Sequence, residues 1–337
     1  MAAAGKGAGA SAASPTKTKR ASAASPSPKS KAKGKARAAV SVKKKTTTIK
    51  QTTTSEVVSK GVSKFFASGK GLSLKSSIPD AWKADWPIIK KLRETRDAPV
   101  DTVGCERLAD PKAPKADWEW QCLVSAMLSS QTKDQANAEA MATLHNHGNT
   151  AANIARTPVD KLAKLISKVG FHNTKARYLK DAAKLCLEKH HGRVPDTLEG
   201  LLELPGVGPK MAHLVMHAAF DKQAGLCVDT HVHRIANALR WVKTPSAEEC
   251  SGSGATRVAL EAWLPKREWP HINIVLVGLG QQQQQSPAIL ISRSLRLRNR
   301  AAALQLLARI GLKLSAGRYP DLDDAAKRDA NIQKLLK

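Results

Sequence analysis

The segment that most constrains the fold is Leu201-Leu202-Glu203-Leu204-Pro205-Gly206-Val207-Gly208-Pro209-Lys210-Met211-Ala212. Pro205 stops a short amphipathic helix and a Gly-x-Gly unit turns the chain. Pro209 then opens a second helix at the first-turn position, where its missing N–H removes no hydrogen bond. Helix, tight hairpin and helix must follow one another directly, a helix-hairpin-helix pattern. Gly206 and Gly208, with Val207 between them, let the backbone come close to a phosphate, and the unpaired N–H groups at the next helix start can hold it. The same pattern also serves as a plain αα-hairpin with no ligand. The second-helix run Met211-Ala212-His213-Leu214-Val215 tips the reading towards DNA-backbone binding.

Lys210 falls near the second position of that helix, where the macrodipole places partial positive charge and disfavours a cation. Its pKa is therefore expected to be lowered, and burial acts the same way, freeing neutral amine for nucleophilic attack. Further on, Val228-Asp229-Thr230-His231-Val232-His233-Arg234 places Asp229 to cap a helix that carries Ile235, Leu239 and Val242. Near a primed amine, the same carboxylate can also stabilise positive charge developing on a sugar, or help to deprotonate the lysine. His231 and His233 are two apart on the predicted helix and face different ways, so no metal site is expected.

Helical spacing recurs through the body of the chain. The predicted helices cover Val159–Val169, Lys175–Lys189, Thr197–Leu204, Pro209–Phe220, Thr230–Val242, Arg257–Leu264 and His271–Leu279, and no strand alternation competes. The expected fold class is all-α. Val124, Met127 and Leu128 lead into the polar break Ser129-Ser130-Gln131-Thr132, with another helix from about Asp134.

Charge separates the chain into regions. The formal net charge is +27, from 55 Lys and Arg against 28 Asp and Glu, which implies a polyanionic partner. Residues 1–75 carry +16 and residues 291–337 carry +7, leaving +4 for the middle. The leader is built from Ala, Ser, Thr, Lys, Gly and Pro, with Phe65 and Phe66 its only aromatics. It is expected to be disordered, with Lys29–Arg37 and Lys43–Lys45 as non-specific nucleic-acid contacts or nuclear-import signals; a transit peptide shares the same bias. No apolar run reaches the roughly 18 residues that suggest a membrane-spanning helix. The five cysteines, at 105, 122, 186, 227 and 250, form no C-x-x-C unit, so neither a disulfide framework nor a cysteine-rich metal site is supported.

Three motifs in this order, Met127-Leu-Ser-Ser-Gln-Thr-Lys-Asp134, Leu204-Pro-Gly-Val-Gly-Pro-Lys-Met-Ala212 and Val228-Asp-Thr-His-Val-His-Arg-Ile-Ala-Asn237, resemble the eukaryotic branch of the endonuclease III family of DNA glycosylases. The resemblance runs from about Trp82 to Gln282. It implies two helical lobes with a DNA cleft between them, and a monomeric bifunctional DNA N-glycosylase and apurinic/apyrimidinic lyase acting on oxidised pyrimidines in double-stranded DNA. By the same resemblance Lys210 is the Schiff-base nucleophile and Asp229 its electrostatic and proton-relay partner. Gln131 would fill the space left by an extruded base, and the Phe171-His172-Asn173-Thr174 turn, with His172 and Asn173 as contacts, would wedge the opposite strand. The nucleus is the expected compartment, with a mitochondrion or plastid as the other addresses such a leader suits.

One departure stands out. The family pattern continues after Gly-Gln-Gln with four cysteines, spaced C-x6-C-x2-C-x5-C, that ligate a 4Fe-4S cluster. Here Gly280-Gln281-Gln282 runs into Gln283-Gln284-Gln285-Ser286, and no cysteine follows Cys250. The sequence thus supports no cofactor, since a cluster of this kind needs four thiolates. The expected organisation is a leader over 1–75, a glycosylase/lyase domain over 76–285 and an atypical segment over 286–337 in place of the cluster motif. Ile289–Leu314 reads as one basic amphipathic helix behind a low-complexity join. An altered exon and a cluster-free variant both account for the change, and its abruptness favours the exon. The stretch Cys250-Ser-Gly-Ser-Gly254 reads as a loop insertion.

Overall fold

The computed structural model describes residues 77–245 and 253–336. The readings placed on the 1–75 leader and on Cys250 lie outside these residues. Among the described residues the regular elements are helical, in the order α1 (Asp80–Leu92), α2 (Pro99–Val103), α3 (Lys115–Ser129), α4 (Asp134–His147), α5 (Ala151–Arg156), α6 (Val159–Leu165), α7 (His172–Lys189), α8 (Leu198–Glu203), α9 (Pro209–Phe220), α10 (Thr230–Ala238), α11 (Ser253–Glu261), α12 (Trp269–Gln285), α13 (Pro287–Arg296), α14 (Arg300–Arg309), α15 (Pro320–Arg328) and α16 (Ala330–Leu335). Short 3₁₀ turns cover Cys105–Arg107 and Lys266–Glu268.

Two apolar cores divide these helices into lobes. The first lobe runs from α3 to α9. Its α7 buries Ala176, Leu179, Ala182, Ala183 and Cys186, a stripe at helical spacing whose small residues let α5 and α6 pack closely. The second lobe joins α1 to α10–α16, so the chain begins in one lobe, builds the other and returns. In α1, Trp82, Trp86 and Ile89 share one face; Trp86 stacks on Trp82 and meets the edge of Trp241, with ring centroids 6.2 Å apart in both pairs. The indole N–H of Trp86 donates to Glu268 at 2.9 Å and that of Trp241 to Asp85 at 3.1 Å, so both aromatic anchors are buried with their polar atoms satisfied.

The two glycines of Val277-Gly278-Leu279-Gly280 in α12 make room for two polar side chains to pack against that helix. A Cβ at Gly278 would lie 2.1 Å from the guanidinium of Arg93, which is fully buried and paired with Asp101. At Gly280 it would lie 2.2 Å from the His231 ring. Being two apart, the glycines open different faces of α12, one to α1 and one to α10.

The structure departs from the sequence reading in four places. Helix α7 begins at His172, so Phe171-His172-Asn173-Thr174 is a helix start rather than a turn. The glutamine run continues α12, because its amides find partners: Gln281 bonds Asp134, Gln282 bonds Asp97 and Gln283 accepts from Arg234. Ile289–Leu314 is split into α13 and α14 by extended backbone at Leu297. Finally, Ser253 and Gly254 of the expected insertion already belong to α11.

Candidate active site

The hairpin between α8 and α9 forms as its sequence dictates. Gly206 has φ +79°, and a Cβ there would lie 2.6 Å from the Tyr178 ring, so this glycine is required by conformation and by packing. Gly208 has extended backbone and nothing within 4 Å of where its Cβ would be, leaving the start of α9 open to approach from outside. Val207 contributes no free donor. Its side chain is 8% exposed in the first lobe's core, and its N–H donates to the Leu204 carbonyl at 3.1 Å. The donors at the hairpin are therefore those of the first turn of α9, which the helix itself leaves unpaired.

Lys210 sits one residue inside α9, behind Pro209, and its ammonium donates to the Ser129 hydroxyl at 3.1 Å. Asp229 caps α10, with Oδ1 accepting from the Val232 N–H at 2.8 Å, which leaves Oδ2 for the cavity. Both line one cavity of about 480 Å³ between the lobes, together with Cys105, Glu106, Gln131, Asp134, His231, Asn273 and Gln281. Sequence reasoning did not single out Glu106, Asp134 or Gln281. Asp134 was recognised only as a helix start, and its role depends on Gln281, which lies 147 residues away and donates to it at 2.6 Å. The other oxygen-bearing end of the Gln281 amide accepts from the Val100 N–H at 2.9 Å, so one side chain ties α12, α2 and α4 across the mouth of the cavity.

The electrostatics correct one expectation. Burial pushes the Lys210 amine down, but the sulfurs of Cys105 and Cys227, followed by the carboxylates of Asp229 and Asp134, act the other way, and the balance lies above the ordinary lysine value. Lys210 is consequently a charged ammonium at rest. Burial also raises the pKa of Asp134, against the hydrogen bond from Gln281, and lowers that of His231, against the pull of Asp229. Burial pushes the Cys105 thiol up to about 11, so it is neutral at physiological pH.

A second cavity, of about 350 Å³, opens beside the first and is lined by Met127, Gln131, Phe171, Lys175, Tyr178 and Gly206 among others. Gln131 and Phe171 both take left-handed backbone, φ +48° and +57°, unusual for residues with a Cβ. Phe171 is 66% exposed. The structure thus brings Gln131 together with Phe171, whereas His172 and Asn173 do not line either cavity. The two loops are stapled by a residue that the sequence reading passed over. Lys175, 7% exposed, donates to the carbonyls of Leu128 at 2.7 Å and Ser130 at 2.5 Å. Gly170 completes the staple, because a Cβ there would lie 2.4 Å from the Gln131 carbonyl oxygen.

With this geometry in place, comparison with known proteins is informative. Residues 124–256 match the model of the HhH-GPD superfamily base excision DNA repair protein. The endonuclease III-like protein 1 of Gallus gallus is 45% identical over 204 residues, covering 60% of this chain and 71% of the relative. The chain belongs to the endonuclease III family. Endonuclease III homolog 1, chloroplastic, of Arabidopsis thaliana is also 45% identical, over 60% of this chain but 54% of its own length, so the chain spans about half of that relative. A solved non-covalent endonuclease III–DNA complex has the same fold, with a TM-score of 0.51 and 23% identity over 67% of this chain and 99% of that one.

The 4Fe-4S cluster of the endonuclease III pattern does not fit the residues present. Where its ligands would follow Gln282, helix α12 runs on to Gln285 and α13 begins at Pro287. The four described thiols are dispersed: Cys122 and Cys186 lie in the first lobe's core, while Cys105 lines the larger cavity and Cys227 lies against the Lys210 backbone carbonyl. Among the described residues no group of His, Cys, Asp and Glu has the arrangement of a metal site.

Proposed function

We propose that the chain is a bifunctional DNA N-glycosylase and apurinic/apyrimidinic lyase that excises oxidised pyrimidines from double-stranded DNA. The observation that carries this reading is the meeting of Lys210, from α9, and Asp229, from α10, in one cavity between two lobes. Membership of a base excision repair family supports it.

The chemistry follows from the residues. A damaged nucleotide leaves the helix stack to reach the cavity, and weakened pairing lowers the cost. Gln131 and Phe171, held in left-handed conformations at the lip, occupy the space vacated. The Lys210 ammonium passes a proton to a neighbouring carboxylate, and the neutral amine attacks C1′ as the C1′–N bond to the base breaks. Asp229 stabilises the positive character of C1′ during this step. The departing base takes up a proton, the sugar ring opens, and the nitrogen of Lys210 is left in a Schiff base with C1′. That iminium acidifies the C2′ proton; its removal expels the 3′ phosphate by β-elimination. Hydrolysis of the Schiff base returns Lys210 to its amine form.

The basic leader supplies a nuclear address or an organellar one, and the plant relative's chloroplastic form supports the second possibility. Borohydride trapping on duplex DNA with an abasic site tests the core of the proposal. A covalent adduct with the wild type, together with incision of thymine-glycol DNA, is the expected result. Excision without an adduct would indicate a monofunctional glycosylase, and salt-sensitive binding without excision a DNA-binding protein.

A further inference from the structure

The segment after the glutamine run is integrated into the second lobe. Leu290, Leu304, Leu307, Ile310, Leu322 and Ile332 are each no more than 2% exposed and share a core with α1, α10 and α12. A tail of arbitrary sequence would not place apolar residues at most inward positions of four successive helices, with the one buried serine, Ser294, satisfied by the Leu290 carbonyl at 2.8 Å.

Arginines fasten this packing to specific carbonyls and carboxylates. Arg309 on α14 grips Asp85 with two N–H groups, at 2.9 and 3.0 Å, and also donates to the Leu239 carbonyl at the end of α10, at 2.7 Å. Arg234, in the middle of α10, donates to the Ile310 carbonyl and to Gln283, both at 2.7 Å. Gln283 returns a bond to the same Ile310 carbonyl at 2.9 Å. Arg293 on α13 reaches the Leu92 carbonyl at 3.1 Å and Asp97 at 2.5 Å. The helix held at its middle and its far end is the one whose first residue is capped by Asp229.

We infer that residues 286–336 form a metal-free cap on the second lobe where the cluster motif would follow, and that Arg234 and Arg309 are positioning residues that brace α10 so that Asp229 faces Lys210. Of the two accounts of the missing cysteines, this is the cluster-free variant. The role assigned to the arginines rests on the proposed lyase activity, whereas the metal-free cap does not.

The first test measures iron and acid-labile sulfide in the full chain purified from iron-supplied cells, with thermal melting before and after incubation with a chelator and ferricyanide. Iron far below one atom per chain and an unchanged melting temperature are expected; about four iron atoms per chain, or melting that falls on oxidation, would overturn the cap. These readouts hold whether or not the wild type excises bases, so a failed cap and a failed lyase are told apart.

The second test compares Arg309→Lys with Arg309→Met in borohydride trapping and in the pH profile of the single-turnover rate. Lysine keeps the charge at Asp85 but cannot reproduce the two-pronged contact plus the bond to Leu239. Both variants are expected to trap about tenfold more slowly, with DNA affinity unchanged, a loss of about 1.4 kcal/mol of transition-state stabilisation. Should Arg309→Met fail to fold, Arg309→Lys and Arg234→Lys carry the comparison. Trapping at the wild-type rate in folded variants, or a fall only in affinity, would remove the positioning role.

Discussion

Lys175 lies directly beneath the loop that presents Gln131, its ammonium donating to the Leu128 and Ser130 carbonyls at 2.7 and 2.5 Å. Those carbonyls belong to the end of α3 and to the residue before Gln131, so the buried charge holds a strained backbone in place. Lys175→Met should release it. Excision from duplex thymine-glycol DNA is expected to fall about tenfold, or about 1.4 kcal/mol, while trapping on single-stranded abasic DNA, which needs no extrusion, changes little. Burial, with the Lys210 charge nearby, also lowers the Lys175 pKa to about 8. Between about pH 8 and the ordinary lysine value the unfolded chain binds more protons at this site than the folded one, so the contribution of Lys175 to stability grows as pH rises through that window. Melting temperatures of wild type and Lys175→Met from pH 7 to 10 check the sign: the difference should shift in favour of the wild type.

A charged Lys210 has its own consequence for pH dependence. The amine must be neutral to attack, and below its pKa the neutral fraction rises about tenfold per pH unit. The single-turnover rate of Schiff-base formation is expected to climb with pH well into the alkaline range. Asp134 is among the negative groups that raise the Lys210 pKa. Asp134→Asn should therefore move the profile towards lower pH, and a profile that stays in place would show that Asp134 does not act on the amine.

Some parts of this molecule were legible in the sequence and others could not be, for physical reasons. Pro209 at the head of α9, Asp229 as the cap of α10 and the helical character of the chain are local properties, written in a few adjacent residues. The environment of Lys210 is not local. Its serine partner lies 81 residues away, and the groups that act against burial on its pKa, Cys105 and Cys227 and then Asp229 and Asp134, are scattered along the chain, so no local pattern reveals them. The glutamine run misled for a similar reason. Its low complexity suggests a linker, but Gln281, Gln282 and Gln283 each bond a different part of the fold.

The two glycines of the hairpin should separate folding from binding. Gly206→Ala places a Cβ against Tyr178 at a left-handed position, for an expected destabilisation of about 1–3 kcal/mol. Gly208→Ala meets no atom within 4 Å and has ordinary extended backbone. Its melting temperature should match the wild type while its affinity for duplex DNA falls, because the added methyl stands where a phosphate would approach the α9 donors. Denaturation curves and binding isotherms on the same preparations check both. Unchanged affinity for a stable Gly208→Ala would argue for a purely structural hairpin.

Asp229 combines a cap with a charge, and substitution can divide them. Asparagine caps a helix about as well as aspartate, whereas alanine forfeits about 1 kcal/mol. In Asp229→Asn the Val232 N–H keeps its acceptor, so stability should stay close to the wild type, but no negative charge remains to meet the cation developing at C1′. Excision and trapping are expected to fall about a hundredfold. Asp229→Ala should show that loss together with a lowered melting temperature. If Asp229→Asn retained full activity and Asp229→Ala lost only stability, the residue would be a helix cap alone, and the catalytic part would have to pass to Asp134 or Glu106, the other carboxylates that share the cavity and interact with Lys210.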